Sequence, residues 1–189
     1  MLAKCKSPDF DIGVGAVGVQ EVDSPDYWFV SQAVWPVDFI TSTYDSKGAF
    51  IGNKSTTLEI LGWFPPLYHN RKSLDNVAVK IFVDNSASMH AFNAGRCRFD
   101  AWASFLISSL AFVLMFKQCY LDIQHCPRLS TDGATLADAL TRADRKGKAA
   151  AADLQLPLHV GWPPTLLTWM EKPYFNDRFQ WDLLTDFLS

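Results

Sequence analysis

The stretch VKIFVDNSA (residues 79–87) decides how this chain is read. Val79, Ile81, Phe82 and Val83 alternate or run through a segment that reads as a buried strand. The run stops on Asp84, followed at once by Asn85, Ser86 and Ala87. An acid in that position has two readings. Asp, Asn and Ser all cap helices, so Asp84 can serve as the cap of a helix that follows. Alternatively, a rigid sheet holds its carboxylate at the edge of a cleft, where functional groups are placed.

Working outward, turn residues separate short periodic segments. DIGVGAVGVQ (11–20) is a Gly-rich strand to which backbone must approach closely. YWFVSQAVW (27–35) is the next strand, after the turn-forming DSPD (23–26). STTLEILGWF (55–64) carries a helix start at Ser55 or Thr56, with Glu59 in its first turns and a break expected at Pro65 and Pro66. After the strand ending at Asp84 come a short helix to Gly95 and a long apolar helix over 101–116. A strand over 119–125 and a helix over 133–144 complete the series. Strands first, then alternating helices and strands, indicate a mixed α/β sheet flanked by helices.

The chain has 189 residues, 49% hydrophobic and 20% charged, enough for one globular domain with a real core and an appended tail. A net charge of −3 argues against nucleic-acid binding by bulk electrostatics and requires a local basic patch for any such role. The four cysteines form no CxxC pair and read as reduced thiols in an intracellular setting, cytoplasm or nucleus. The uncharged run AWASFLISSLAFVLMF is 16 residues long and bracketed by Asp100 and Lys117. It is too short to span a bilayer and reads as a buried helix, so no membrane association is expected.

Three acids remain to be weighed together. Glu59 near a helix start compensates a dipole in its dull reading, Asp84 caps, and Asp138 lies on a solvated face. Asp138 stands between Leu136, Ala137, Ala139 and Leu140, which points instead to a packed or cleft surface. If the three converge, their mutual repulsion calls for a cation. Oxygen-preferring Mg²⁺ is the natural choice.

VDNSASMHAFNAGR, followed by HCPRLSTDGATLADALTRAD, resembles the ribonuclease H domain of retroelement reverse transcriptases, of LTR or DIRS-like retrotransposons. The matching motifs are Asp84-Asn85-Ser86, His125-Cys126-Pro127 and Ala137-Asp138-Ala139-Leu140-Thr141-Arg142, within residues 3 to 145. The resemblance implies a ribonuclease H-like mixed five-stranded sheet flanked by helices over residues 1–145, with a linker and short helical C-terminal tail over 146–189. It implies metal-dependent hydrolysis of the RNA strand of RNA:DNA hybrids. Glu59, Asp84 and Asp138 would be metal ligands for Mg²⁺, or Mn²⁺ in its place, and His125 would assist proton movement or product release. A polymerase domain of the parent polyprotein would be the partner, since the chain has no Tyr-x-Asp-Asp motif of its own.

The departures carry a second reading. Aligning the Ser-Pro pair puts Cys5 where the family has its first aspartate, and Asp9 becomes the tentative fourth ligand. A catalytically inactive, structural or nucleic-acid-binding module is therefore the alternative. Asn85, Arg96, Arg98 and Arg142 are the candidate nucleic-acid contacts, with Lys117 ending the long helix nearby. In the tail, Leu166, Trp169, Phe179, Leu183, Leu184 and Phe187 form apolar faces of two short helices expected to pack back on the domain.

Overall fold

The computed structural model describes residues 13–20, 27–47, 51, 54–127, 132–140, 152–153, 155 and 157–189. Strands β1 (Gly13–Gln20) and β2 (Tyr27–Val34) pair antiparallel from Gly13↔Val34 to Gln20↔Tyr27. Helices α1 (Val37–Thr41), α2 (Lys54–Leu61) and α3 (Phe64–His69) follow, then a 3₁₀ turn at Arg71–Ser73. Strand β3 (Ala78–Val83) leads into α4 (Ser86–Asn93) and the 16-residue α5 (Ala101–Phe116). Strand β4 (Tyr120–His125) and helix α6 (Asp132–Leu140) come next. The chain closes with β5 (Leu158–Val160), α7 (Pro164–Glu171) and α8 (Asp177–Leu188).

The architecture is mixed α/β, but the described strands do not form one five-stranded sheet. They make a three-stranded sheet in the order β1-β2-β5 and a separate parallel pair, β3-β4. The Gly-rich strand expected over 11–20 is β1, described from Gly13. The third strand of the first sheet comes from the tail: β5 runs parallel to β2, with Val30↔Leu158 and Gln32↔Val160 in register. Three residues flanked by Pro157 and Gly161 carry too little pattern to be read as a strand from sequence.

The break expected at the two prolines is present, just ahead of them. Helix α2 ends at Leu61, ahead of them, and Pro65 and Pro66 occupy the first turn of α3. Those positions have no helical partner for an N–H, so proline starts this helix rather than kinking its predecessor.

Tail and body share one core. Trp169, Phe179, Leu183 and Phe187 are buried with Ile60, Leu61 and Phe64 of α2 and α3 and Leu106, Leu110 and Val113 of α5. Trp169 stacks among Phe39, Trp102, Phe105 and Phe179, and its indole N–H donates to the Tyr174 carbonyl at 2.8 Å. Trp162 similarly donates to the Val34 carbonyl at 2.7 Å, fastening the tail to the end of β2. Helix α5, apolar all round its inner turns, runs through the middle of this cluster. No helix among the described residues is long and apolar enough to cross a membrane.

Candidate functional site

Strands β3 and β4 lie side by side in parallel register from Ala78↔Tyr120 to Val83↔His125. Their carboxyl ends therefore reach one edge together, and the amide of Cys126 donates to the Val83 carbonyl at 2.8 Å. Asp84 and His125 sit at that edge, both exposed. In open α/β sheets this is where ligands bind.

The capping explanation of Asp84 fails. The cap of α4 is Asn85, whose side-chain oxygen accepts from the amides of Ala87 at 2.9 Å and Ser88 at 3.2 Å. Asp84 is thus the residue between strand and cap. Asn85, expected to contact nucleic acid, has its carboxamide oxygen committed to the helix, leaving its amide N–H groups as donors.

The dipole explanation of Glu59 fails as well. Helix α2 begins at Lys54, has no acid in its first turn, and carries Glu59 in its second. Burial, then the negative charge of Asp84, pushes the Glu59 carboxyl up from 4.5 to about 7. Two of the three acids singled out in the sequence are therefore brought close enough for one to feel the other's charge.

Asp138 is half-buried on α6, which packs against β1, and the Gln32 amide donates to the Leu140 carbonyl at 2.8 Å. Among the described residues no three His, Cys, Asp or Glu side chains come together as a metal-holding group. Asp9, Cys5 and Arg142 lie outside the described residues. Lys117, expected near phosphates, is buried and paired with Asp75 at 3.1 Å.

Asp84 at the strand edge and Glu59 on α2 are hard oxygen donors of the kind that suit a divalent cation. Mg²⁺ is held elsewhere by one or two carboxylates, with waters and substrate oxygens completing its shell. Burial raises Glu59 most, and the smaller part that comes from repulsion by Asp84 is what such an ion would relieve.

Asp100 is the residue whose importance sequence reasoning passed over. It is 2% exposed and caps α5, accepting from the amides of Trp102 at 3.0 Å and Ala103 at 3.3 Å. Its second oxygen accepts from the Thr57 hydroxyl on α2, and Lys54 Nζ stands 3.7 Å away over the Trp102 ring. The Asp before an apolar run was the available signal. Asp100 fixes α2, and with it Glu59, to α5.

A second ionisable cluster lies on the other sheet. His69 Nδ1 and the Ser31 hydroxyl are 2.7 Å apart, and the His69 and His159 rings are 5.5 Å apart. Burial, then His159 and Arg71, pulls the His69 imidazole down from 6.5 to about 4. Ser31 is fully buried, so the pair fastens α3 to β2 and offers no accessible nucleophile.

Comparison with protein families, with curated proteins and with solved structures finds no match to this chain.

Proposed function

We propose that the chain is a metal-dependent endoribonuclease that hydrolyses the RNA strand of RNA:DNA hybrids, a ribonuclease H-like part of a retroelement reverse transcriptase. The observation that carries this reading is Asp84 at the carboxyl edge of the β3-β4 pair, with Glu59 of α2 near enough to feel its charge. The order of strand, acid, capped helix, parallel strand and His-Cys-Pro turn supports it, because it matches the motifs of that family in sequence.

In this reading Glu59 and Asp84 would hold Mg²⁺, which would supply an activated water and neutralise charge on the scissile phosphate. Glu59 must surrender its proton to act as a ligand, and with a pKa of about 7 it does so only partly at neutral pH without a cation. His125, one residue past the Phe82-Gln124 register pair, is exposed at the same edge and is available to carry a proton. Asp138 on α6 would be the third acid of the site.

A second reading has an observation of its own. Cys5 stands where the family has its first aspartate, and without that ligand the module would bind a hybrid without cutting it. Incubating the protein with end-labelled hybrid in Mg²⁺ or Mn²⁺ separates the two. RNA-strand cutting that is lost in Asp84→Asn supports the enzyme; binding without cutting by folded protein supports the inactive module.

A further inference from the structure

Strand β5 joins its sheet by little. It has three residues, lies beside β2 at the end of the strand order, and leaves Leu158 at 39% and Val160 at 62% exposure. Backbone bonds fix its two ends: the Val30 amide donates to the Pro157 carbonyl and the Gly161 amide to the Gln32 carbonyl, both at 2.9 Å. Gly161, at φ +120°, then turns the chain off the sheet, in a conformation that suits glycine. Short segments of this kind open locally at less cost than core elements do.

His159, the half-buried middle residue, is what β5 places against the body. Its register partner on β2 is Ser31, whose hydroxyl lies 2.7 Å from His69 Nδ1 at the end of α3. The two imidazole rings are 5.5 Å apart and inclined by 31°, and the Phe29 ring meets His159 edge-on at 6.2 Å. A buried hydroxyl and two imidazoles therefore join β2, β5 and α3 at one point. Arg71 follows close behind, its guanidinium over the Tyr68 ring at 4.4 Å and its Nε buried without a hydrogen-bond partner. Of the elements packed on α3, β1 carries no ionisable side chain, β2 only Tyr27, and α2 Lys54 and Glu59. Helix α8, which meets Tyr68 through Phe187, carries Asp177, Arg178, Asp182 and Asp186. The charges that act on His69 are nevertheless those of His159 and Arg71, both positive, so no carboxylate compensates a proton placed there. The terminal carbonyls of the six-residue α3 favour a cation, but burial outweighs them.

We propose that Ser31, His69 and His159 form an acid-sensitive latch on the tail strand. In mild acid His69 takes a proton, the like charges of His69, His159 and Arg71 push the helix end and the strand apart, and residues 157–161 leave β2 while the rest of the fold stays intact. Opening stops at Gly161, because Trp162 is 8% exposed with its indole N–H on the Val34 carbonyl, and Trp169 is fully buried in the core. Burial first, then the two cations, holds His69 near 4 while β5 is in place, against its ordinary 6.5 once the strand has left. The open state thus binds the extra proton between those values, so closure is complete above 6.5 and is lost progressively as pH falls towards 4. A full shift would raise the opening equilibrium roughly fiftyfold between pH 7 and 4.5; hydration of the half-buried ring reduces the expected rise to about tenfold.

Amide hydrogen exchange, corrected for the pH dependence of the intrinsic rates, reads the latch at Val30 and Gly161. The reference is Cys126, whose amide donates to the Val83 carbonyl in the separate β3-β4 pair. Protection at Val30 and Gly161 should fall about tenfold from pH 7 to 4.5 and hold at Cys126. His69→Gln keeps a side chain able to bond Ser31 but does not titrate, and should abolish the fall. His159→Gln should reduce it only in part, because burial is the larger cause. Protection that does not change with pH in wild type overturns the latch, as does a fall that either variant leaves unaltered. An equal fall at Cys126 overturns it too, since the acid would then be loosening the whole fold.

Discussion

Glu59 and His69 are displaced in opposite directions, and together they make a specific expectation for stability against pH. Glu59 rises from 4.5 to about 7, so between those values the folded state holds a proton that the unfolded state has released. Its stabilising contribution is complete below 4.5 and is lost as pH climbs through 7, by up to about 3 kcal/mol. His69 falls from 6.5 to about 4, so the unfolded state holds the extra proton there. Its contribution is complete above 6.5 and is lost as pH drops through 4, again by up to about 3 kcal/mol before screening of the half-buried ring is allowed for. Between pH 4.5 and 6.5 the two slopes, each about 1.4 kcal/mol per pH unit, oppose one another. Urea unfolding across pH 4 to 7.5 in EDTA separates them. Relative to wild type, Glu59→Gln should gain stability with rising pH, and His69→Gln should lose it over the same range. Asp84→Asn should remove only part of the Glu59 effect, because burial is the larger cause. A Glu59→Gln curve running parallel to wild type would refute the placement of Glu59 beside Asp84 in a poorly hydrated site.

Three further outcomes follow from packing and backbone geometry. Asp100→Ala removes the α5 cap and strands Thr57 and Lys54, and should cost about 3 kcal/mol in chemical denaturation, whereas Asp100→Asn, which keeps an acceptor for the cap, should cost less. Trp169→Ala empties the centre of the aromatic cluster and should destabilise by about 4 kcal/mol, lowering the thermal midpoint by several degrees. Gly95→Ala meets no atom within 4 Å but forces a side chain onto φ +69°, for a loss of about 1 kcal/mol without a change in the far-ultraviolet spectrum.

The sequence was most legible where one local signal set the outcome. The 16 uncharged residues after Asp100 form α5 with the bounds read from the pattern, because a capping acid and a following Lys delimit them. Strands β3 and β4 were visible from their alternation and from the turns that end them. Elements defined by tertiary partners were not. Strand β5 is three residues that become a strand by lying beside β2, and α1 is a five-residue helix fixed by Phe39 in the aromatic cluster. At the site, residue types picked out Glu59 and Asp84 but misjudged their dull alternatives, since which of Asp84 and Asn85 caps α4 depends on a backbone angle. Helix α6, which carries Asp138, packs on β1, a relation that spacing along the chain does not encode.

The central claim is that Glu59 and Asp84 form a metal-dependent site for cutting RNA in a hybrid. It is tested most directly by following a hybrid labelled on each strand, with Mg²⁺ present or chelated, in wild type, Glu59→Gln and Asp84→Asn. Cutting confined to the RNA strand, dependent on the metal and reduced at least a hundredfold by either substitution, is the expected result, since general catalytic groups commonly contribute about 10² to 10⁴ in rate. Folded wild-type protein that binds the hybrid and leaves both strands whole would contradict it.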